Sequence, residues 1–328
     1  MIKTRYIIAT LAVCAATISR AGTPVTYTKE DSIGIEKLLS RNHSSCLGYA
    51  KEFIGIPYVA HTLECNDKEQ LVVNIRELDC TTLVETAAAL YITHKNGGRT
   101  FGDYCKTLEN IRYRNGKANG YSSRLHYFSE WIDNNCRTGI AEDVGAQGGF
   151  PFTAKQKIDV HFMSQNPQYY RQLVNDKAMQ NEIRKNENAI SGKTCFYIPK
   201  DLLNLGKGKL TAVKDGDIIA LVTSKDGLDI SHVGIAAWEN GKLHLLNASS
   251  LKHKVILDSQ TLFEYDLKWR FCVCLYRARD LTSRISGDLA KLRLLAHTHS
   301  WIDSLHRYEN VFLPQIPRRK CRFPFLYC

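Results

Sequence analysis

An α+β fold with an antiparallel sheet is predicted by two observations: helical apolar spacing dominates the first third of the chain, and from Asp215 the period changes to two. Helices followed by a run of strands argue for that class. With 328 residues, 44% hydrophobic and 23% charged, the chain has the balance of a soluble globular protein with a sizeable core.

The elements follow in chain order. Residues 1–5 form a basic stub, residues 6–18 an apolar run, and Ser19-Arg20-Ala21 places small residues where a signal peptidase inspects. Residues 1–21 therefore read as a signal peptide, and export is expected, to the periplasm where the cell has an outer membrane. Cys14 leaves a lipoprotein as the minor alternative. The run is too short to span a membrane, and no later stretch approaches about eighteen apolar residues, so no integral membrane segment is expected after processing.

Ile35, Leu38, Leu39, Leu47 and Ala50 predict two short helices over residues 32–53, broken near Asn42-His43-Ser44-Ser45. After Gly55-Ile56-Pro57-Tyr58 and a strand-like piece at 71–75, residues 78–91 read as a buried helix capped by Asp79 or Thr81. Residues 96–206 form a large insertion of helices and loops, with helices expected over 127–132 and 180–190. Strands are predicted at 217–222, 230–238, 243–247, 254–257 and 271–277, each following the last in a meander. The domain is thus expected to cover residues 30–280. The tail, 281–328, is basic and carries Pro314, Pro317 and Pro324; disorder is the favoured reading over a tether to wall or membrane.

A net charge of +11 suits nucleic acid, an acidic membrane surface or an anionic polymer such as a cell wall, and export makes nucleic acid the least favoured. Of the eleven cysteines, setting aside Cys14 and Cys80 leaves nine, so pairing cannot be complete within one chain. C-x-x-C and H-E-x-x-H are both absent, and no metal site is expected.

Cys80 stands where a helix begins, and the free N–H groups there stabilise a thiolate or an oxyanion. A buried inert cysteine is the competing reading, and the local sequence does not separate the two. His232 shifts the balance. Asn240-Gly241 predicts a type I′ turn, because that pair supplies two positive-φ positions. The register then sets Glu239 against Lys242, Trp238 against Leu243, Gly234 against Asn247 and His232 against Ser249. Alternation puts His232, Gly234, Asn247 and Ser249 on one face, with Asn247 the diagonal neighbour of His232 across a glycine. A thiol, a base and a polar group orienting the base are what nucleophilic catalysis needs. His232 as a core histidine and Ser249 as the orienter remain the alternatives, whereas His244 falls on the opposite face.

Four segments carry a resemblance: Leu78-Asp79-Cys80-Thr81-Thr82-Leu83-Val84-Glu85, Asp215-Gly216-Asp217-Ile218-Ile219, Ser231-His232-Val233-Gly234-Ile235 and Leu245-Leu246-Asn247-Ala248-Ser249-Ser250. In that order they resemble the NlpC-type cell-wall cysteine hydrolases. The resemblance implies a papain-like fold, its nucleophile helix packed on the sheet, and the roles of Cys, His and polar third residue for Cys80, His232 and Asn247. The commoner third residue is histidine, so Asn247 is a departure.

The segment Ser123-Arg124-Leu125-His126-Tyr127-Phe128-Ser129-Glu130-Trp131-Ile132 resembles the N-acetylmuramoyl-L-alanine amidase-like branch. That implies peptidoglycan fragments (muropeptides) as substrate, cut between muramic acid and L-alanine, with no cofactor. Cutting between D-glutamate and a diamino acid, or wall binding without catalysis, are the alternatives. Substrate-binding candidates are Tyr58 at the cleft, Arg124 toward a carboxylate and Tyr127 toward a sugar face, with Tyr127 and Trp131 alternatively a core stripe. Asp79 is a further candidate, though a helix cap is its simpler role.

Overall fold

The computed structural model describes residues 23–265 and, by its backbone, the strand at 272–278; the expected signal peptide and basic tail lie outside these residues. The elements are β1 (Val25–Thr26), α1 (Lys29–Leu39), α2 (Cys46–Lys51), β2 (Leu71–Val72), α3 (Cys80–Lys95), α4 (Phe101–Arg112), α5 (Phe128–Arg137), β3 (Ala141–Asp143) and β4 (Ala154–Lys157). They continue with α6 (Phe162–Gln165), α7 (Lys177–Ile190), β5 (Thr194–Pro199), β6 (Ile218–Val222), β7 (Ile230–Glu239), β8 (Lys242–Ser249), β9 (Lys254–Thr261) and β10 (Cys272–Ala278).

Helix α3 organises the molecule. Its start is a reciprocal cap, in which Asp79 Oδ1 accepts from the Thr82 N–H at 2.8 Å while the Asp79 N–H donates to Thr82 Oγ1 at 2.9 Å. Downstream, Leu83, Val84, Ala87, Ala88, Ala89, Leu90 and Ile92 are all buried, so the helix has almost no solvent face. It packs against α1, α2 and α4 on one side and against β7 and β8 on the other.

Among the described residues the main sheet has eight strands, ordered β4-β5-β10-β6-β7-β8-β9 with β3 also beside β10. Both faces are covered. Val233, Ile235, Ala237, Leu246, Ala248 and Val255 pack with the helical core around α3, whereas Ile219, Leu221, Ala236, Leu243 and Leu245 pack with Ile198, Leu203, Leu210 and Val213.

Two expectations need correction. The meander holds from β6 to β9, but β10 crosses back to pair antiparallel with β6 instead of following β9. All five residues of β6 are buried, and an apolar strand of that kind needs neighbours on both edges. The insertion is also not only helix and loop, because β3, β4 and β5 extend the sheet from it. Strand β4 reads Ala-Lys-Gln-Lys, and lysines on an edge strand hide the hydrophobic alternation by which strands are recognised.

Beneath α3, Arg112 Nε lies 2.7 Å from Glu85 Oε2 and Arg112 Nη1 donates to the Val72 carbonyl at 2.6 Å, with both side chains about 3% exposed. Removing one partner strands the other charge in the core. Glu85→Ala is therefore expected to lose about 3–5 kcal/mol of stability in urea denaturation. A wild-type midpoint would show that the pair does not hold α3 and α4 together.

Candidate active site

The β7–β8 hairpin turns at Asn240 (φ 50°) and Gly241 (φ 76°), and Glu239 pairs with Lys242, Trp238 with Leu243 and Ile235 with Leu246. The same register, extended along both strands, sets Gly234 across from Asn247. There His232 Nε2 meets Asn247 Oδ1 at 3.0 Å. The Asn247 amide nitrogen donates to the Leu245 carbonyl at 3.4 Å, which fixes the amide oxygen as the atom facing the ring. An amide oxygen only accepts, so in this contact Nε2 is the donor.

Asn247 is fully buried, which shields the bond from bulk solvent. Ser249, the alternative orienter, is occupied: its Oγ accepts from the Lys252 N–H at 3.2 Å in the turn to β9. His244 is half-buried and its Nδ1 lies 3.0 Å from the Asp258 carbonyl.

Two local features shape this strand end. A bulge interrupts β7, since Leu221 pairs with His232 but Val222 pairs with Ile230, leaving Ser231 as the additional residue. Bulges re-aim side chains, and Ile230 accordingly packs with the core around α3. At Gly234, a Cβ would stand 2.8 Å from the Leu246 carbonyl oxygen and 2.8 Å from Leu245 Cγ. The glycine is required by the close approach of β8 itself.

Cys80 is the first residue of α3, fully buried, with its sulfur 3.9 Å from Thr81 Oγ1. Backbone pairing joins its approach to the far end of β8. Ser249 pairs with Lys254, Lys254 bridges Pro57, and Tyr58 bridges Leu78, two residues before the cysteine. The Tyr58 N–H donates to the His253 carbonyl at 3.0 Å, and the Val59 N–H to the Leu78 carbonyl at 3.1 Å. Burial pushes the Cys46 and Cys105 thiols up to about 12, which keeps both protonated.

The other candidates separate. Tyr58 is half-buried beside Leu78, and Asp79 is the α3 cap. Arg124 is buried between Glu64, in direct contact, and Glu69 at 3.7 Å, with Tyr121 beneath its guanidinium at 4.9 Å. Burial works against that charge and the two carboxylates overcome it, holding Arg124 firmly protonated. Tyr127 is also buried; its hydroxyl donates to Glu187 Oε1 at 2.7 Å and accepts from the Met163 N–H at 2.9 Å. Its ring and hydroxyl belong to a satellite core with Val160, Met163 and Ile183, so it presents no sugar-stacking face. Trp131 lies in the main core instead. The sequence offered no sign of Glu64 and Glu69, because the partners of Arg124 are more than fifty residues away. Among the described residues no cluster of three or more His, Cys, Asp or Glu is arranged to hold a metal ion.

Residues 49–270 match a family model described as AmiA-like, N-acetylmuramoyl-L-alanine amidase-like. The chain belongs to that family. This amidase-like chain is similar to the crystal structure of an N-acetylmuramoyl-L-alanine amidase from Bacteroides uniformis, with 38% identity, 72% of this chain and 98% of that one covered, and a TM-score of 0.67. It is similar as well to a provisionally named xylanase from Bacteroides fragilis, with 42% identity, 70% and 99% coverage, and a TM-score of 0.65. Over 134 residues it is 31% identical to the glucose-6-phosphate isomerase of Caldanaerobacter subterraneus, which is 36% of this chain. The chain spans only 29% of that relative's length.

Gly234→Ala is expected to push β8 away from β7, costing about 1–3 kcal/mol by overpacking. Thermal denaturation checks this, and an unchanged midpoint would mean that the strands have room to spare.

Proposed function

We propose that the chain is a cysteine amidase that cleaves the amide between N-acetylmuramic acid and L-alanine in muropeptides. The observation that carries the reading is the His232–Asn247 bond, which in the neutral ring leaves a lone pair on Nδ1 of a histidine whose strand is joined by backbone pairing to the approach of Cys80. In this scheme Nδ1 takes the thiol proton, and the Cys80 sulfur attacks the lactyl carbonyl. N–H groups at the start of α3, including that of Cys80, stabilise the tetrahedral oxyanion, helped by the positive end of the helix dipole. The imidazolium then protonates the L-alanine nitrogen as the C–N bond breaks. Water, activated by the same histidine, hydrolyses the thioester and restores the thiol.

Membership of the amidase-like family and the Bacteroides uniformis neighbour favour this bond over the D-glutamyl-diamino acid linkage. Xylan cleavage is disfavoured, since glycoside hydrolysis rests on two facing carboxyl groups whereas this strand end offers an imidazole and an amide. The expected signal peptide is in keeping with this reading, since an exported enzyme would meet such substrates. The basic balance of the chain suits their carboxylates.

Digestion of purified muropeptides followed by mass spectrometry tests the reading. Release of intact stem peptide is expected, and its loss in Cys80→Ala by a factor on the order of 10³ or more. Release of L-alanyl-D-glutamate would assign the other amide, and wild-type turnover by Cys80→Ala would remove the cysteine mechanism.

A further inference from the structure

Asp229 is 7% exposed, and its carboxylate engages backbone donors from two separate elements. Oδ2 accepts from the Ser129 N–H at 2.6 Å, and Oδ1 from the Ile230 N–H at 2.8 Å. Its carbonyl also accepts from the Thr223 N–H at 3.1 Å, closing the loop between β6 and β7. Ser129 lies in the first turn of α5, whose own N-cap residue, Tyr127, makes no side-chain capping bond. Asp229 therefore caps α5 from one hundred residues away by the geometry of its carboxyl oxygen, although burial pushes its pKa up. The charged neighbours on this side are Glu130, which repels Asp229, and Arg114, which is paired with Glu130.

Helix α5 is a fixed reference. Phe128 and Trp131 stack at 4.9 Å within the main core, and Asn134 Oδ1 accepts from the Asn115 N–H at 2.9 Å. From that anchor, only Ile230 and the bulged Ser231 separate Asp229 from His232. Ser231 Oγ in turn donates to the Leu221 carbonyl at 3.2 Å. Asn247 holds one side of the imidazole, but the placement of the backbone from which the ring hangs depends on where β7 begins.

We propose that Asp229 is a positioning residue for His232: by locking the start of β7 onto the first turn of α5, it sets the imidazole for catalysis. The inserted helix α5 is then part of the catalytic apparatus without touching substrate. This rests on the reading of His232 as the base. A displacement of about 1 Å at a reacting group is enough to cost on the order of a hundred-fold in rate, so a loosened strand start acts mainly on turnover and little on binding.

The test combines kinetics with nitrogen-15 NMR of histidine-labelled protein, in which the His232 signals are identified by their loss in His232→Gln. Wild-type protein is expected to show His232 protonated at Nε2 alone. Asp229→Ala is expected to mix the two ring tautomers and to lower kcat about ten-fold or more with KM changed by less than about two-fold. Asp229→Asn keeps one acceptor oxygen and is expected to recover part of both effects; it also decides the matter if Asp229→Ala does not fold. Wild-type ring signals and kcat in the variants would overturn the proposal, as would a lowered Tm with unchanged ring signals, which marks a structural role alone. Absence of muropeptide turnover in the wild type would sink the proposed function instead, while the ring signals would still report on Asp229.

Discussion

The register of β7 against β8 is the constraint on which the site depends, and two residues set it. Asn240 and Gly241 supply the positive φ values of a tight turn, and every pairing from Glu239–Lys242 to Ile235–Leu246 follows. A slip of one residue would exchange the two faces of the strand, moving Val233 and Ile235 away from α3 and Asn247 away from His232. Both faces of the sheet are buried, so such a slip would bring large apolar side chains into the wrong layer on each side at once. The hydrophobic core thus enforces the register that the turn initiates.

Helix α3 is held from several directions. Its start is fixed by Asp79 and Thr82, its middle by burial all round, and its lower side by the Arg112–Glu85 pair. The segment at 55–59 then ties the approach of Cys80 to β9, with the Gly55 N–H donating to the Val255 carbonyl at 2.9 Å and the Val255 N–H to the Ile56 carbonyl at 2.8 Å. On the proposed mechanism, the capped start of α3 and the register-locked β7 are the two elements that must present Cys80 and His232, 152 residues apart in sequence, to one another.

What was legible in the sequence was local. The Asn-Gly turn, the buried helix from Cys80 and the strands from β6 to β9 all carry short-range signals, and the His232–Asn247 contact followed from counting along the hairpin. Contacts that depend on distant chain segments were not legible. Arg124 was a candidate for a substrate carboxylate, but Glu64 and Glu69 hold it; Tyr127 was a candidate for a sugar face or a core stripe, and Glu187 takes its hydroxyl in a buried cluster. Asp229 gave no sign at all, because its helix partner lies one hundred residues earlier. Strand β10 was recognised, but its neighbour was not, since alternation specifies a strand and leaves open the edge it joins.

The most direct test of the account is to look for the thioester. A muramoyl ester with a good leaving group makes deacylation the slow step, so a burst and an accumulating acyl-enzyme are expected. Mass spectrometry of the quenched protein, followed by peptide mapping, is predicted to show one muramoyl acyl group on the peptide containing Cys80. Turnover without a burst, or an adduct on any other residue, would contradict the account.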